Sequence, residues 1–214
     1  MPKIYLYRIV NDTGYAPNFA DNVATLAACK PQIRKTAAIG DWIIGLASKN
    51  LYKDGTTHKN LPRNTIVWCM RVTNKLTFTE YDAFSTSTLI NKIPTRENGF
   101  RGDCQIKADG TFREGEHSAG LIAHDLTGKF VLLGEKYYYY STNSEFKELP
   151  ADWDYESVKR GHRVLREVTP EQEAFLETLI STKSVQLTSS DDLCNRQSKQ
   201  TCTFNRMKYN KSCM

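Results

Sequence analysis

TIVWCMRVT, residues 65–73, decides the fold class. Ile66, Trp68, Met70 and Val72 alternate with Val67, Cys69, Arg71 and Thr73, the period of two that lets a pleated strand show different residues to its two sides. The flanking sequence reads the same way. DWIIGLA (41–47) is a second strand, and KIYLYRIVN (3–11) is an earlier, largely buried one, with Ile4, Leu6, Ile9 and Val10 among β-favouring Tyr5 and Tyr7. KFVLLGEKYYYYS (129–141) reads as a hairpin around Gly-Glu-Lys, its four tyrosines pointing two and two.

Helical signals are shorter. FADNVATLAA places Phe19, Val23, Leu26 and Ala27 on one helical face. Pro31 suits the first turn of a helix over QIRKTAA, with Gly40 at its exit. Thr77 and Glu80 form a capping box opening FTEYDAF, and Thr169, Pro170 and Gln172 open the best helix, with Ala174, Phe175, Leu176, Leu179 and Ile180 as its apolar stripe. Residues 48–64 read as a polar loop and 85–106 as irregular chain. There is no internal repeat. The sum is an α+β fold: a single domain over residues 1–183, with a curved, mostly antiparallel sheet or a PUA-like β-barrel flanked by short helices and a C-terminal helix. The barrel alternative is a resemblance in element order. Residues 184–214 lose periodicity and read as a flexible, polar and basic tail.

The 214 residues, 40% hydrophobic and 25% charged, suffice for one packed core and argue against wholesale disorder. A net charge of +5 favours anionic partners but falls short of a DNA-packaging protein. The N-terminus lacks the apolar core of a signal peptide, and no run approaches the ~18 apolar residues of a membrane span. The expectation is a cytoplasmic protein with no membrane partner. Its six cysteines show no C-x-x-C spacing, and Cys194, Cys202 and Cys213 fall in the tail, so reduced thiols are expected. The phosphate-binding G-x-x-x-x-G-K-[ST], the dinucleotide G-x-G-x-x-G, the zinc-deaminase pattern and G-x-S-x-G are all missing from the sequence.

Several strings in order carry a resemblance. KIYLYRIVNDTGYAPN, TLAACKPQIRKTAAIGDWIIG, IVWCMRVTNKLTFTEY, RGDCQI, His117 before HDLTGKFVLLGEKYYYY, and KRGHRVL together resemble the nucleotide modification-associated domain 2 family over about residues 3–181. Matching positions include Cys29, Lys30, Pro31, Arg34, Gly40, Asp41, Trp42, Gly102, Asp103, His117, Asp125, Arg160, Gly161 and His162. The chain departs from the pattern at Cys104, where a small amide is expected, and at Tyr139 and Tyr140, where the family pattern turns to Phe-Gly. The resemblance implies a place in systems that modify nucleic-acid bases, chiefly in bacteria and phages.

The candidate groups each have two readings. Asp103, His117 and Asp125 combine two carboxylates and an imidazole, suited to general acid-base work, or else serve as structural hydrogen-bonding residues; their spacing fits no metal signature. Lys30 and Arg34 make a cationic corner for phosphate or a solvated helical face. Arg160 and His162 offer donors around Gly161, or form a basic surface loop. Trp42 stacks on a base or fills the core. Cys29, next to Lys30, is a nucleophile or a small buried thiol. The leading expectation is a protein binding a nucleotide or nucleic acid, DNA in preference to RNA, with no cofactor specified. The alternatives are an enzyme acting on a nucleotide or modified base, and a structural interaction protein.

Overall fold

The computed structural model describes residues 1–53, 55–140, 146–158 and 161–181. Along the chain come β1 (Ile4–Asp12), β2 (Ala24–Leu26), α1 (Pro31–Thr36), β3 (Trp42–Lys53), β4 (Thr56–Lys59), β5 (Thr65–Arg71), β6 (Asn74–Thr77) and α2 (Phe78–Ser87). They are followed by α3 (Ala119–Leu126), β7 (Phe130–Gly134), β8 (Tyr137–Tyr139), β9 (Lys147–Glu148), β10 (His162–Leu165) and α4 (Pro170–Ser181). Arg160, Lys159 and the tail expected at 184–214 lie outside the described residues.

The larger sheet runs β10-β1-β3-β5-β8, with β4 added to β3 and β9 to β5. Its pairings are antiparallel except β1 with β3. A parallel pair needs a crossover, and this one carries β2 and α1. A second, antiparallel sheet has the order β2-β7-β6. Among the described residues the end strands β10 and β8 do not pair, so the fold is mixed α+β with an open sheet and not a closed barrel.

Residue alternation sorts two cores. Tyr5, Tyr7, Ile9, Ile43 and Ala47 join Leu26, Ile33 and Leu132 between the sheets. Ile4, Leu6, Trp42, Ile44 and Leu46 pack on the other side under Leu176, Leu179 and Ile180 of α4. The β1–β3 pairing shifts register between Ile9 and Asn11, and strict alternation also fails in β5. Gly45 faces Trp68 and Leu46 faces Ile66, so Val67 is an extra residue in β5, a bulge that sends Ile66 to the α4 side while Val67, Trp68 and Met70 stay between the sheets. Gly45 makes room for this: a Cβ there would lie 2.2 Å from Trp68 Nε1 and 2.4 Å from Ile9 Cδ1.

Three expectations about elements are corrected. FADNVATLAA is not a helix, because Asp21 and Asn22 take left-handed φ of 57° and 56° and the chain then extends into β2. The presumed loop at 48–64 is largely a hairpin, Asn50 opposite Lys59 and Tyr52 opposite Thr57. Residues 129–140 do not pair with one another. Val131, Leu132 and Leu133 are all buried, which suits the centre of a sheet, so β7 lies between β2 and β6 while β8 crosses to β5. The tyrosines do divide two and two, Tyr138 and Tyr140 toward α4, Tyr137 and Tyr139 toward the other core. Both capping boxes form, Thr77 with Glu80 and Thr169 with Gln172. No helix among the described residues is long and apolar enough to cross a membrane.

Candidate thiol site

Where β2 turns into α1, Cys29 and Lys30 have φ of 57° and 42°. Two successive non-glycine residues in the left-handed region hold backbone strain that the surroundings must enforce. Pro31 then starts α1 with its φ already helical. The enforcing group is Asp125, projected inward from α3 and buried. Its Oδ1 accepts the Cys29 backbone N–H at 2.6 Å, and its Oδ2 lies 2.6 Å from His117 Nδ1. On the far side of the ring, His117 Nε2 faces Cys29 Sγ at 3.8 Å.

These contacts assign the tautomer. A carboxylate accepts, so the proton sits on Nδ1 and Nε2 is left as the acceptor for the thiol. Nucleophile, base and orienting carboxylate are thus in sequence, the arrangement by which thiols and hydroxyls are activated.

Arg34 secures the carboxylate from behind. Fully buried, it donates from Nε to Cys29 O (2.8 Å), from Nη1 to Phe130 O (2.9 Å) and from Nη2 to Asp125 O (2.6 Å), with Asp125 Oδ1 3.6 Å from Nη2. Burial lowers its pKa and the Asp125 charge is the leading opposing influence. Gly128 leaves space for the guanidinium: a Cβ would stand 2.6 Å from Arg34 Cζ. Gln105 fixes the histidine backbone, Nε2 donating to His117 O at 2.6 Å and Oε1 accepting from His117 N at 3.2 Å. The same Oε1 accepts the Tyr15 hydroxyl at 2.7 Å, and the Tyr15 ring lies 4.7 Å from the imidazole. Burial, then the Asp125 and Asp103 charges, pushes the Tyr15 phenol far up, so it remains a protonated donor.

Cys29 and Lys30 line a recess of about 60 Å³ with Tyr7, Arg8 and Val10. Lys30 Nζ stands 5.0 Å from the Tyr7 ring centre. His162 lies opposite Tyr7 on β10, and burial, then Lys30, lowers its pKa.

A family model described as Nucleotide modification associated domain 2 matches residues 1–196. The chain belongs to this family. No curated protein and no solved structure matches it.

In this nucleotide modification associated domain 2 protein, His117 and Asp125 of the sequence-selected trio meet, and Asp103 stands apart from them. Asp103 is buried, accepting from Tyr81 Oη and Thr25 Oγ1, each at 2.6 Å, and burial raises its pKa against the pull of Lys92. Arg34 is neither an open phosphate fork nor a solvated face. Trp42 is wholly buried under α4. Lys30 lines the recess, His162 lies on β10 opposite Tyr7, and Arg160 falls outside the described residues. Asp41 holds the turn before β3, accepting from Lys3 N and Ala38 N.

Sequence reasoning named Cys29 without a base for it, and missed Tyr15 and Gln105. The only local cue to Gln105 is its place just after Gly-Asp-Cys; its partners are Tyr15 and His117. The other described thiols are poorly suited to attack: burial pushes Cys104 up to about 12 and Cys69 higher still. Among the described residues no group of three or more histidine, cysteine, aspartate and glutamate side chains is arranged to hold a metal ion.

Proposed function

We propose that this protein is a thiol-dependent enzyme of nucleotide modification, which transfers or removes an acyl group carried in ester or amide linkage by a nucleotide or by DNA. The observation that carries this reading is the continuous contact from Asp125 Oδ2 through His117 to the thiol of Cys29, a residue that lines a recess together with Lys30. A buried structural cysteine has no need of an imidazole held in one tautomer by a carboxylate.

The steps follow from the contacts. His117 Nε2 takes the thiol proton as Cys29 Sγ bonds to the substrate carbonyl carbon. The imidazolium, stabilised by Asp125, returns that proton to the departing nitrogen or oxygen as its bond to carbon breaks, leaving a thioester. Water or an amine then attacks the thioester, His117 accepts its proton, and the S–C bond breaks to restore the thiol. No oxidant or reductant is consumed. Lys30, and His162 beside it, supply positive or donor groups near the developing negative charge. In this reading residues 1–183 form the working domain in the cytoplasm and 184–214 a basic appendage.

The test is incubation of the full chain with nucleotides and DNA oligomers bearing acylated bases, followed by mass spectrometry of substrate and of the Cys29 peptide. The expected result is conversion with a transient acyl mass on Cys29, lost in Cys29→Ala and reduced at least about 10²-fold in His117→Ala. Conversion undiminished in Cys29→Ala overturns the proposal. Retention of ligand without conversion, unaffected by either substitution, identifies a non-catalytic reader instead.

A further inference from the structure

Beside the thiol recess lies a second cavity, of about 260 Å³, which shares Arg8 and Val10 with it and is otherwise lined by Lys49, Arg63 and Val158 among others. We propose that this cavity is a phosphate subsite, binding the phosphate of the substrate nucleotide while its acyl group faces Cys29. The proposal rests on the thiol reading for the direction of the ligand, and on its own observations for the anion.

Three basic residues, Arg8, Lys49 and Arg63, line this cavity. Arg8 is locked by carbonyls: Nε donates to Val158 O (3.1 Å), Nη2 to Tyr155 O (2.8 Å), and Nη1 to Ala47 O (3.1 Å) and Arg63 O. Its contribution is therefore fixed positive potential. Burial and then the Arg63 charge lower its pKa to about 10, while the Glu156 charge acts in the opposite direction. Arg63 Nε pairs with Glu156 at 2.5 Å, and that carboxylate is exposed on the rim. The Lys49 ammonium has no hydrogen bond or ion pair among the described residues. An exposed carboxylate on Arg63 occupies the position a phosphate oxygen takes when bound, so Glu156 competes with the ligand. Cations lining one cavity, one of them half-buried and held in place, bind phosphate more strongly than scattered surface lysines do.

The arrangement also explains the two-part cavity. A nucleotide carries its phosphate and its modified base at opposite ends of a sugar, and here Lys49 and Arg63 line one cavity and Cys29 the other, the two sharing the β1 residues Arg8 and Val10.

The experiment is calorimetric titration of the full chain with inorganic pyrophosphate, a deoxynucleoside monophosphate and a short single-stranded DNA oligomer at low and moderate salt. Lys49→Ala is expected to raise Kd at least about fivefold, the loss of one charge-assisted contact, and Arg63→Lys to raise it less. Glu156→Gln is expected to lower Kd about threefold by removing the competing carboxylate. If the oligomer binds far more tightly than the monophosphate with the same dependence on Lys49, the phosphate is that of a polymer; comparable affinities make it that of a free nucleotide, and either outcome supports the subsite. Pyrophosphate affinity equal in wild type, Lys49→Ala and Glu156→Gln, or no binding at low salt, overturns it. Pyrophosphate binding by a wild-type chain that shows no acyl transfer leaves the subsite standing and removes the thiol reading; acyl transfer without pyrophosphate binding does the reverse.

Discussion

Asp125 divides its two oxygens between the backbone of Cys29 and the ring of His117. One carboxylate therefore sets both the strained φ of the residue that carries the thiol and the tautomer of its base. Asp125→Asn preserves shape but presents the imidazole with an amide, which accepts more weakly and offers a donor at one of its two positions. Iodoacetamide labelling of Cys29, followed by peptide mass spectrometry, is expected to slow at least about tenfold in this variant, as orientation of the base is lost. Labelling as fast as in wild type means that Asp125 only ties the chain together. Stability should fall too, by about 3 kcal/mol in urea denaturation, because Arg34 is left buried beside a neutral group. At this scale the sequence displayed the reacting chemistry but not its geometry. Thiol, imidazole and carboxylate are readable as types, whereas the choice of Asp125 over Asp103 depends on which carboxylate the fold turns toward residue 117. Arg34 illustrates the converse: its charge suggested a phosphate ligand, and three backbone carbonyls consume its donors.

Among elements, those whose signal is internal were legible: the apolar, β-favouring runs of β1 and β3, the period of two in β5 up to its bulge at Val67, Pro31 at the start of α1, and the capping boxes of α2 and α4. What failed was partnership. A strand's own residues do not state which strand it pairs with, so 129–141 read as a hairpin although its halves belong to different sheets. Nor does a polar run with Gly55 at its turn distinguish a loop from the β3–β4 hairpin. The 3-10 turn Ile90–Lys92 shows how an irregular segment is held without such pairing. Lys92 Nζ lies 2.6–3.0 Å from four acceptors, Asn18 O, Asn18 Oδ1, Val23 O and Thr25 Oγ1, and so anchors this turn to the crossover. Lys92→Met fills similar volume and removes all four contacts, leaving Asn18 O, Asn18 Oδ1 and Thr25 Oγ1 only their other partners, a loss of about 3 kcal/mol. Burial lowers the lysine from its ordinary 10.5 to about 8. Between those values the unfolded chain retains a proton that the folded chain has released, so this group's contribution to stability rises with pH. The stability gap between wild type and Lys92→Met, measured by urea denaturation, is expected to widen from pH 7.5 to pH 9.5, by up to about 1.4 kcal/mol per pH unit. A gap that stays constant or narrows contradicts the assigned ionisation.

In the whole molecule the thiol site sits on the seam between two sheets. β2 of the smaller sheet leads into Cys29, α3 with Asp125 leads into β7, and Tyr7, whose ring underlies Lys30, belongs to β1 of the larger sheet. Composition and length pointed to one packed core and the run of strands and helices to an α+β fold, but this seam has no signature in any of them. It is closed at β7, where Leu133 O accepts from Thr73 N at 2.8 Å and Gly134 lies against the end of β5. A Cβ on Gly134 would approach Arg71 O and Met70 Cβ to 2.8 Å each. One of those atoms is backbone, so the strain is relieved by moving the sheets apart. Gly134→Ala is thus expected to destabilise by about 1–3 kcal/mol and, although remote from the thiol in sequence, to slow iodoacetamide labelling of Cys29, since β7 in that register pairs Ala24 of the strand feeding the site. Gly120→Ala is the control: a Cβ on this α3 residue meets nothing within 4 Å, so stability should hold or rise by about 0.5 kcal/mol with labelling unchanged. If Gly134→Ala lowers the denaturation midpoint while Cys29 labels at the wild-type rate under native conditions, the seam supports the fold alone and the thiol geometry is fixed locally by Asp125 and Arg34.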